Sequence, residues 1–208
     1  PGDVILAFKH FRSLLPDDKK DDVALVMHTQ IIDNNGTDLR AIHENVAPEC
    51  KILFSENKVG AADLNALYNV ADVTINIASN EGWGLSSTES LLAGTPIINN
   101  VTGGLQDQLR FENEKGEWIT FDSKFSTNHN KTYKKYGSWG KAVWPSNRSL
   151  QGSPMTPYIF DDRVNFEDVA ESIMEWWKTP VEVRNICGQE GREFCLTHGL
   201  TSKQMANK

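Results

Sequence analysis

Two glutamates eight positions apart, Glu81 and Glu89, enclose the part of this sequence whose residue types suggest chemistry most directly. Between them stand two glycines and a run of small hydroxyl residues. The apolar stretch 73–78 before them predicts a strand, and the run that ends at Ala93 predicts a helix. At such a strand–turn–helix junction, free backbone N–H groups and the helix dipole attract an anion. Because carboxylates accept hydrogen bonds from hydroxyl groups, the pattern favours a sugar attached to a diphosphate.

Strands and helices alternate through the sequence around this segment. We predict strands at about 23–27, 51–54, 72–78 and 96–99, and helices at about 2–15, 37–46, 61–70, from the glycine turn to 93, 166–177 and 183–194. This alternation indicates βαβ units, a parallel sheet and a doubly wound α/β fold. Ligands of such folds bind beyond the carboxyl ends of the strands. Glu81 and the pair Gly103–Gly104 both follow predicted strand ends.

Regular periodicity is lost between about residues 110 and 157, where only 118–121 has the character of a strand. From Ser123 to Phe160 the chain has six Lys or Arg residues and no Asp or Glu, although its formal net charge is −7. We therefore predict an irregular basic insertion, which is either a solvated loop or a cover for an anionic ligand. The acidic remainder of the chain argues against a general nucleic-acid-binding protein.

The composition is that of a globular protein, and 208 residues suffice for one domain, 1–208, with a sizeable core. No apolar run approaches the ~18 residues that cross a membrane, no signal peptide is visible, and the three cysteines are sparse. These features predict a cytoplasmic protein, either free or peripheral to a membrane. Pro1 opens almost directly onto a helix, whereas a doubly wound domain normally begins with a strand. We therefore expect the chain to be part of a longer protein.

The segment from Glu81 to Glu89, followed by 92–96 (Leu-Ala-Gly-Thr-Pro) and Gly103–Gly104, resembles the C-terminal half of retaining GT-B glycosyltransferases, in particular family 4. The stretches 64–73 and 166–170 resemble the same group, and the resemblance extends over roughly residues 1–109 and 157–198. It implies a Rossmann-like fold that binds a nucleotide-sugar donor for retaining transfer of a hexosyl group. It also implies an N-terminal half, absent from this chain, that binds a saccharide, lipid or protein acceptor.

The resemblance implies roles for individual residues. Glu81 would lie beside the anomeric carbon of the donor sugar and is the candidate catalytic residue. Glu89 would accept hydrogen bonds from both ribose hydroxyls. The phosphates and sugar would be held by the backbone around Gly82, Trp83, Gly84, Leu85 and Ser86.

The remaining donor contacts implied by the resemblance come from two other loops. Lys58 and Val59 would lie against the base, and Gly103 and Gly104 would contact the donor. The donor is a nucleotide-sugar such as a UDP- or GDP-sugar. We expect neither a cofactor nor a metal site, since the sequence has no Asp-x-Asp.

Several of these residues have a second interpretation. Gly103–Gly104 is either a donor contact or a simple turn, and Trp83 either stacks on the ligand or anchors the turn. Asp161–Asp162 suggests a metal or phosphate site, or an acidic approach to the next helix. For the whole chain, the alternatives are a non-catalytic sugar-nucleotide-binding module and a GT-B-like epimerase or phosphorylase.

Overall fold

A computed structural model describes residues 1–33 and 36–205 of the chain. The helices are α1 (Gly2–Ser13), α2 (Leu39–Val46), α3 (Ala61–Val70), α4 (Leu85–Ala93), α5 (Gly103–Leu109), α6 (Phe166–Lys178), α7 (Val181–Thr197) and α8 (Ser202–Met205). The strands are β1 (Leu25–His28), β2 (Ile52–Ser55), β3 (Thr74–Asn76), β4 (Ile97–Asn100), β5 (Gly140–Val143), β6 (Asn147–Ser153) and β7 (Thr156–Arg163). Within the described part of the chain, no helix combines the length and apolarity needed to span a bilayer.

Parallel strands flanked by helices form the centre of the molecule. β1 pairs with β2 in one sheet, with Leu25 opposite Ile52. β3, β4 and β5 form a second parallel sheet, in which Ile97 of β4 lies opposite Thr74 and Gly140. The prediction of a doubly wound α/β fold is confirmed. One difference stands out: in the described residues, no ladder joins β1 to β3, so the parallel strands form two sheets instead of one.

Two hydrophobic cores hold the layers together. In the first, α1 and α6 pack on the strands through buried side chains such as Phe8, Phe11 and Ile173. In the second, Phe111 and Leu109 are fully buried among residues of α4, β4, β5 and α7. Burying each such large apolar side chain contributes about 1.5–3 kcal/mol, so burial in the two cores is the main stabilising term of the fold.

Part of the segment predicted to be irregular forms strands. β5 adds to the sheet beside β4, and β6 pairs with β7 in an antiparallel hairpin. By contrast, the expected strand at 118–121 is wrong, because Trp118 makes only an isolated bridge with Glu112. β5 was not predicted because its four residues, Gly-Lys-Ala-Val, show no clear alternation of apolar and polar side chains. Nearly all of β6 is exposed on both faces, so its sequence shows no alternation.

The basic character of this segment is partly neutralised within the chain. Three of its six cationic side chains pair with acids: Lys135 with Glu112 at 2.7 Å, Lys141 with Glu175 at 2.6 Å, and Arg148 with Asp162 at 3.0 Å. Tyr133, Tyr136 and Trp144 pack against the second core. The segment is therefore a folded part of the domain surface and not a freely solvated loop.

Candidate functional site

Residues 79–84, the part of the connection between β3 and α4 that leads into α4, are here called the glycine loop. Gly84 ends it with φ +85°, a left-handed conformation that glycine adopts without strain. α4 begins at Leu85, and no side chain caps its amino end. The N–H groups of Ser87 and Thr88 bond to the Gly84 carbonyl. Those of Leu85 and Ser86 precede the helix's internal bonding and point beyond its end, as the first amides of a helix do.

The amino end of α5 lies directly against the glycine loop. The Gly104 N–H donates to the Glu81 carbonyl at 3.2 Å. A Cβ at Gly103 would lie 2.0 Å from the Glu81 oxygen, and one at Gly104 would lie 2.5 Å from the Gly82 oxygen. The interpretation of this pair as a simple turn is wrong, because both glycines belong to α5. Their lack of side chains allows the two backbones to meet.

Gln108, a fully buried residue of α5, fixes the far side of the loop. Its Nε2 donates to the Trp83 carbonyl at 2.5 Å and to the Gly84 carbonyl at 3.1 Å. Its Oε1 accepts a hydrogen bond from Thr88 Oγ1 at 2.9 Å, and that hydroxyl accepts one from Trp83 Nε1 at 2.8 Å. The indole of Trp83 is thereby tied into the turn, which favours its role as an anchor.

A second buried amide supports the first turn of α4. Asn99, at the end region of β4, accepts from Ser87 Oγ at 2.9 Å and donates from Nδ2 to the Leu105 carbonyl at 3.1 Å. Asn76 of β3 donates to Ser86 Oγ at 3.2 Å. Sequence reasoning missed Asn99 and Gln108. The available signal was Asn99-Asn100 at the end of an otherwise apolar strand, since a buried polar side chain needs a partner.

Glu89 lies on the exposed side of α4, one turn beyond Ser86. Tyr68 of α3 donates its hydroxyl to Glu89 Oε2 at 2.9 Å. Burial, with the Glu89 carboxylate beside it, raises the pKa of Tyr68, so the phenol stays a hydrogen-bond donor across the physiological range. This bond orients the carboxylate and leaves its other oxygen, Oε1, available.

The other predicted site residues lie in two different loops. Glu81 sits in the glycine loop with its side chain partly exposed, and Gly82 is exposed beside it. Lys58 and Val59 lie in the connection between β2 and α3, at the edge of the other parallel sheet. No group of three or more His, Cys, Asp or Glu residues in the described ranges is arranged to hold a metal ion.

The hairpin β6–β7 joins the same edge through two carboxylates. The Asp162 N–H donates to the Ser79 carbonyl at 2.8 Å, and Thr102 Oγ1 donates to Asp162 Oδ2 at 2.9 Å. Ser79 donates its hydroxyl to Asp161, and this bond, with the Arg163 guanidinium, lowers the pKa of Asp161. The alternative that these acids lie in a loop that approaches the next helix is wrong, because both belong to β7 and Asn165 is the N-cap of α6. They instead fasten the hairpin beside the glycine loop.

Sequence comparisons give partial matches to proteins named trehalose synthase. No family model matches the chain. The trehalose synthase of Pyrococcus horikoshii is 34% identical over 71 residues, which cover 34% of this chain and 17% of that protein. The trehalose synthase of Rubrobacter xylanophilus is 32% identical over 62 residues, covering 30% and 15% respectively.

Structural comparisons cover nearly the whole chain. The UDP-forming α,α-trehalose-phosphate synthase of Burkholderia vietnamiensis superposes with a TM-score of 0.59 at 12% identity, covering 96% of this chain and 37% of that one. HepE of Anabaena in complex with UDP and glucose gives 0.57 at 11% identity, covering 92% and 39%. Sucrose-phosphate synthase from Thermosynechococcus elongatus gives 0.55 at 17% identity, covering 99% and 42%.

These neighbours establish the fold. The chain has the Rossmann-like fold of GT-B glycosyltransferases, as the sequence resemblance implied. It spans about two fifths of the length of these three solved chains.

Proposed function

We propose that this chain is the donor-binding domain of a glycosyltransferase and that its ligand is a nucleotide-sugar. One observation carries the proposal: the amino end of α4 lies between Glu81 and Glu89 and has no side-chain cap. The glycine loop that leads into it packs tightly against the backbone of α5. The names of the structural neighbours agree with such a ligand, since one is complexed with UDP and glucose and another is described as UDP-forming.

The diphosphate is assigned to the N–H groups of Leu85 and Ser86. A helix amino end attracts an anion through these free donors and through its dipole, which alone contributes about 0.3–1 kcal/mol to the interaction with one charge. Gln108 and Asn99 hold the loop and the first turn before any ligand arrives. Donors fixed in this way stabilise charge that develops on the leaving phosphate without reorganising first.

The two carboxylates are assigned to the two sugars of the donor. Glu89, oriented by Tyr68, accepts the ribose hydroxyls at its free oxygen Oε1. Glu81 faces the transferred hexose, where a carboxylate stabilises the oxocarbenium-like transition state of retaining transfer. Lys58 and Val59 are assigned to the base, and an N-terminal GT-B half is assigned to the acceptor. In the proposed reaction, backbone amides and the helix dipole stabilise the diphosphate charge, and no metal is assigned a role.

A nuclear magnetic resonance titration of the chain tests the donor site. Addition of UDP, GDP or ADP and their sugar conjugates is expected to shift backbone amides at 82–89 and 103–104, with one base giving saturation at the lowest concentration. Shifts confined to the basic segment 123–160, or no shift at millimolar ligand, would contradict the proposal.

Two matched substitutions separate the assigned carboxylate roles. Glu89→Gln is expected to weaken binding of UDP and UDP-glucose alike, by about tenfold, because it removes a charge-assisted hydrogen bond. Glu81→Gln is expected to leave UDP affinity unchanged and to weaken only UDP-glucose. Isothermal titration calorimetry with both ligands measures the two ratios. Equal effects of the two variants on both ligands would refute the assignment of separate sugars.

A further inference from the structure

The hairpin β6–β7 exposes large apolar side chains along most of its length. Leu150 is 64% exposed, Tyr158 65% and Phe160 47%. The sequence has no charged residue from 149 to 160, so the outer part of the hairpin is a continuous uncharged surface. Exposed apolar surface of this extent marks a site of interaction with another molecule or with a membrane.

The pairing register collects these side chains on one face of the hairpin. Residues directly opposite each other in an antiparallel pair lie on the same face, and so do residues two positions apart on one strand. Leu150 lies opposite Phe160, and the ring centroids of Tyr158 and Phe160 are 6.4 Å apart. Leu150, Tyr158 and Phe160 are here called the apolar strip. The strip ends at Arg148, whose guanidinium carbon lies 4.1 Å from the Phe160 ring centroid.

Basic residues surround the base of the hairpin. Arg148 Nη1 donates a hydrogen bond to His129 Nδ1 at 3.3 Å. Lys131 Nζ lies 5.3 Å from the ring centroid of Trp144, which stands just before β6. These contacts fix the loop that carries His129 and Lys131 beside the first residues of β6. Lys134 follows in the same segment and is exposed.

The carboxylates at this base already have partners within the chain. Asp162 pairs with Arg148 at 3.0 Å, and Asp161 pairs with Arg163 at 3.0 Å. In the described part of the chain, three exposed lysines of the basic segment form no ion pair: Lys124, Lys131 and Lys134. The surface at the base of the hairpin therefore keeps positive charge that is not neutralised.

We propose that the outer part of the hairpin inserts into the headgroup region of an anionic lipid membrane. The apolar strip faces the acyl chains, and the lysines at the base face the negative headgroups. An uncharged outer part above a basic base matches the layers of a membrane surface, where acyl chains lie beneath anionic headgroups. Segments at such interfaces combine apolar surface with Lys or Arg. The ring of Tyr158, with its polar hydroxyl, suits the same boundary.

The dimensions of the hairpin set the depth of insertion. At ~3.3 Å per residue, the distance from Leu150 to Ser153 at the end of β6 is about 10 Å. Interfacial segments reach ~5–10 Å into the boundary between headgroups and acyl chains. Arg148 and the neighbouring lysines then remain among the headgroups. The unpaired backbone groups at the edges of a two-stranded hairpin need water, which excludes deeper insertion.

Membrane docking through the hairpin also positions the carboxyl edge of the sheet. Asn80 Nδ2, in the glycine loop, donates to the Phe160 carbonyl at 3.3 Å, at the root of the apolar strip. The glycine loop therefore lies beside the docked surface. The docking itself does not depend on the ligand assigned to that loop, and its test requires no nucleotide.

Cosedimentation with lipid vesicles tests the charge requirement. The chain is expected to bind phosphatidylcholine vesicles that contain about one third phosphatidylserine about tenfold more tightly than pure phosphatidylcholine vesicles, and less tightly as salt rises. The double variant Lys131→Gln, Lys134→Gln is expected to lose about tenfold in affinity. The control Lys51→Gln, Lys178→Gln makes the same change in net charge elsewhere and should change affinity by less than about twofold.

A second pair of variants tests the apolar strip. Leu150→Ser with Tyr158→Ser is expected to weaken binding to the anionic vesicles by about tenfold or more, because less apolar surface enters the membrane. The control, Leu14→Ser with Ile186→Ser, replaces side chains that are 52% and 59% exposed on other surfaces. It should bind as tightly as the unmodified chain.

Three results would overturn the proposal. The first is no binding to the anionic vesicles, or equal binding to both kinds of vesicle. The second is an equal loss of affinity in the hairpin variants and in their controls. The third is a dimer in light scattering that Leu150→Ser with Tyr158→Ser abolishes while vesicle binding stays unchanged, because the apolar strip would then cover a second copy of the chain.

Discussion

The glycine loop and the hairpin β6–β7, both at the carboxyl edge of the sheet, differ in how much of their length is fixed by contacts. The glycine loop, 79–84, is fixed along its length, because α5 meets its backbone at Gly103–Gly104 and Gln108 bonds its last two carbonyls. The hairpin β6–β7 is fixed mainly near its base, where Asp161, Asp162 and the Phe160 carbonyl bond to neighbouring segments. Toward its tip the hairpin exposes apolar side chains, including Met155 at 93%.

The comparison shows that the glycine loop is held in one geometry, whereas the outer part of the hairpin is free to move. Buried, fully bonded amides hold a loop in one geometry, and removal of one partner leaves a buried group unsatisfied. A segment with few buried contacts opens at low cost in free energy. The glycine loop therefore suits a site that must be preformed, whereas the exposed outer part of the hairpin has few contacts that hold it.

The largest effect on stability is expected at Gly104, where the backbone of α5 meets that of the glycine loop. Gly104→Ala places a Cβ 2.5 Å from the Gly82 carbonyl oxygen and 2.6 Å from the Trp83 Cα, and neither backbone group can yield without moving the loop. We expect a loss of about 3 kcal/mol or more in the free energy of unfolding, measured by urea denaturation.

Gly82→Ala is the matched control in the same loop. A Cβ at Gly82 meets no atom within 4 Å, so the free energy of unfolding should change by less than about 0.5 kcal/mol. Comparable losses in the two variants would show that the loop is sensitive to any side chain and that close contact with α5 is not the cause.

Sequence reasoning found the glycine loop because local rules shape it. A strand, a turn with two glycines and a helix rich in small hydroxyl residues all occur within 21 positions, 73–93. The partners of the loop were not visible: Gln108 and Asn99 acquire their function only when α5 and β4 are brought against it. The acidic pair Asp161–Asp162 was noticed but not its role, since Ser79 and Thr102 lie far away in sequence.

The next largest effect on stability is expected at Gln106 and Gln108, two buried residues of α5 with different hydrogen-bond partners. Gln108 bonds the glycine loop, whereas Gln106 donates to the Ser126 carbonyl and accepts from the Asn128 N–H, both in the basic segment. Their exposures are 0% and 1%. Replacement of either by methionine is expected to cost about 1–3 kcal/mol of stability, because buried polar groups lose their partners.

Only Gln108→Met is expected to weaken nucleotide binding as well, because it alone frees the carbonyls of Trp83 and Gly84. Calorimetric titration with UDP at a temperature where both variants are folded measures this difference. A similar loss of affinity in Gln106→Met would mean that general loosening of α5, and not the fixed geometry of the loop, controls binding.

The smallest predicted effect is a loosening of the base of the hairpin at low pH, which leaves the glycine loop in place. The pKa of Asp161 is lowered, first by the hydrogen bond from Ser79 and then by Arg163. A carboxyl whose pKa is lower in the folded than in the unfolded state stabilises the fold above its unfolded pKa. That contribution is lost as the pH falls through the folded pKa. Below about pH 4, the base of the hairpin should therefore loosen while the glycine loop stays closed.

Amide exchange in acid measures this separation directly. Exchange of the Asp162 N–H, which bonds to the Ser79 carbonyl, should accelerate as the pH falls, relative to the Ser87 N–H, which bonds to Gly84. Ser79→Ala removes the leading cause of the lowered pKa and should move the onset to higher pH. If both amides respond together in both proteins, the carboxyl edge opens as one unit. The hairpin would then not be an independently anchored element.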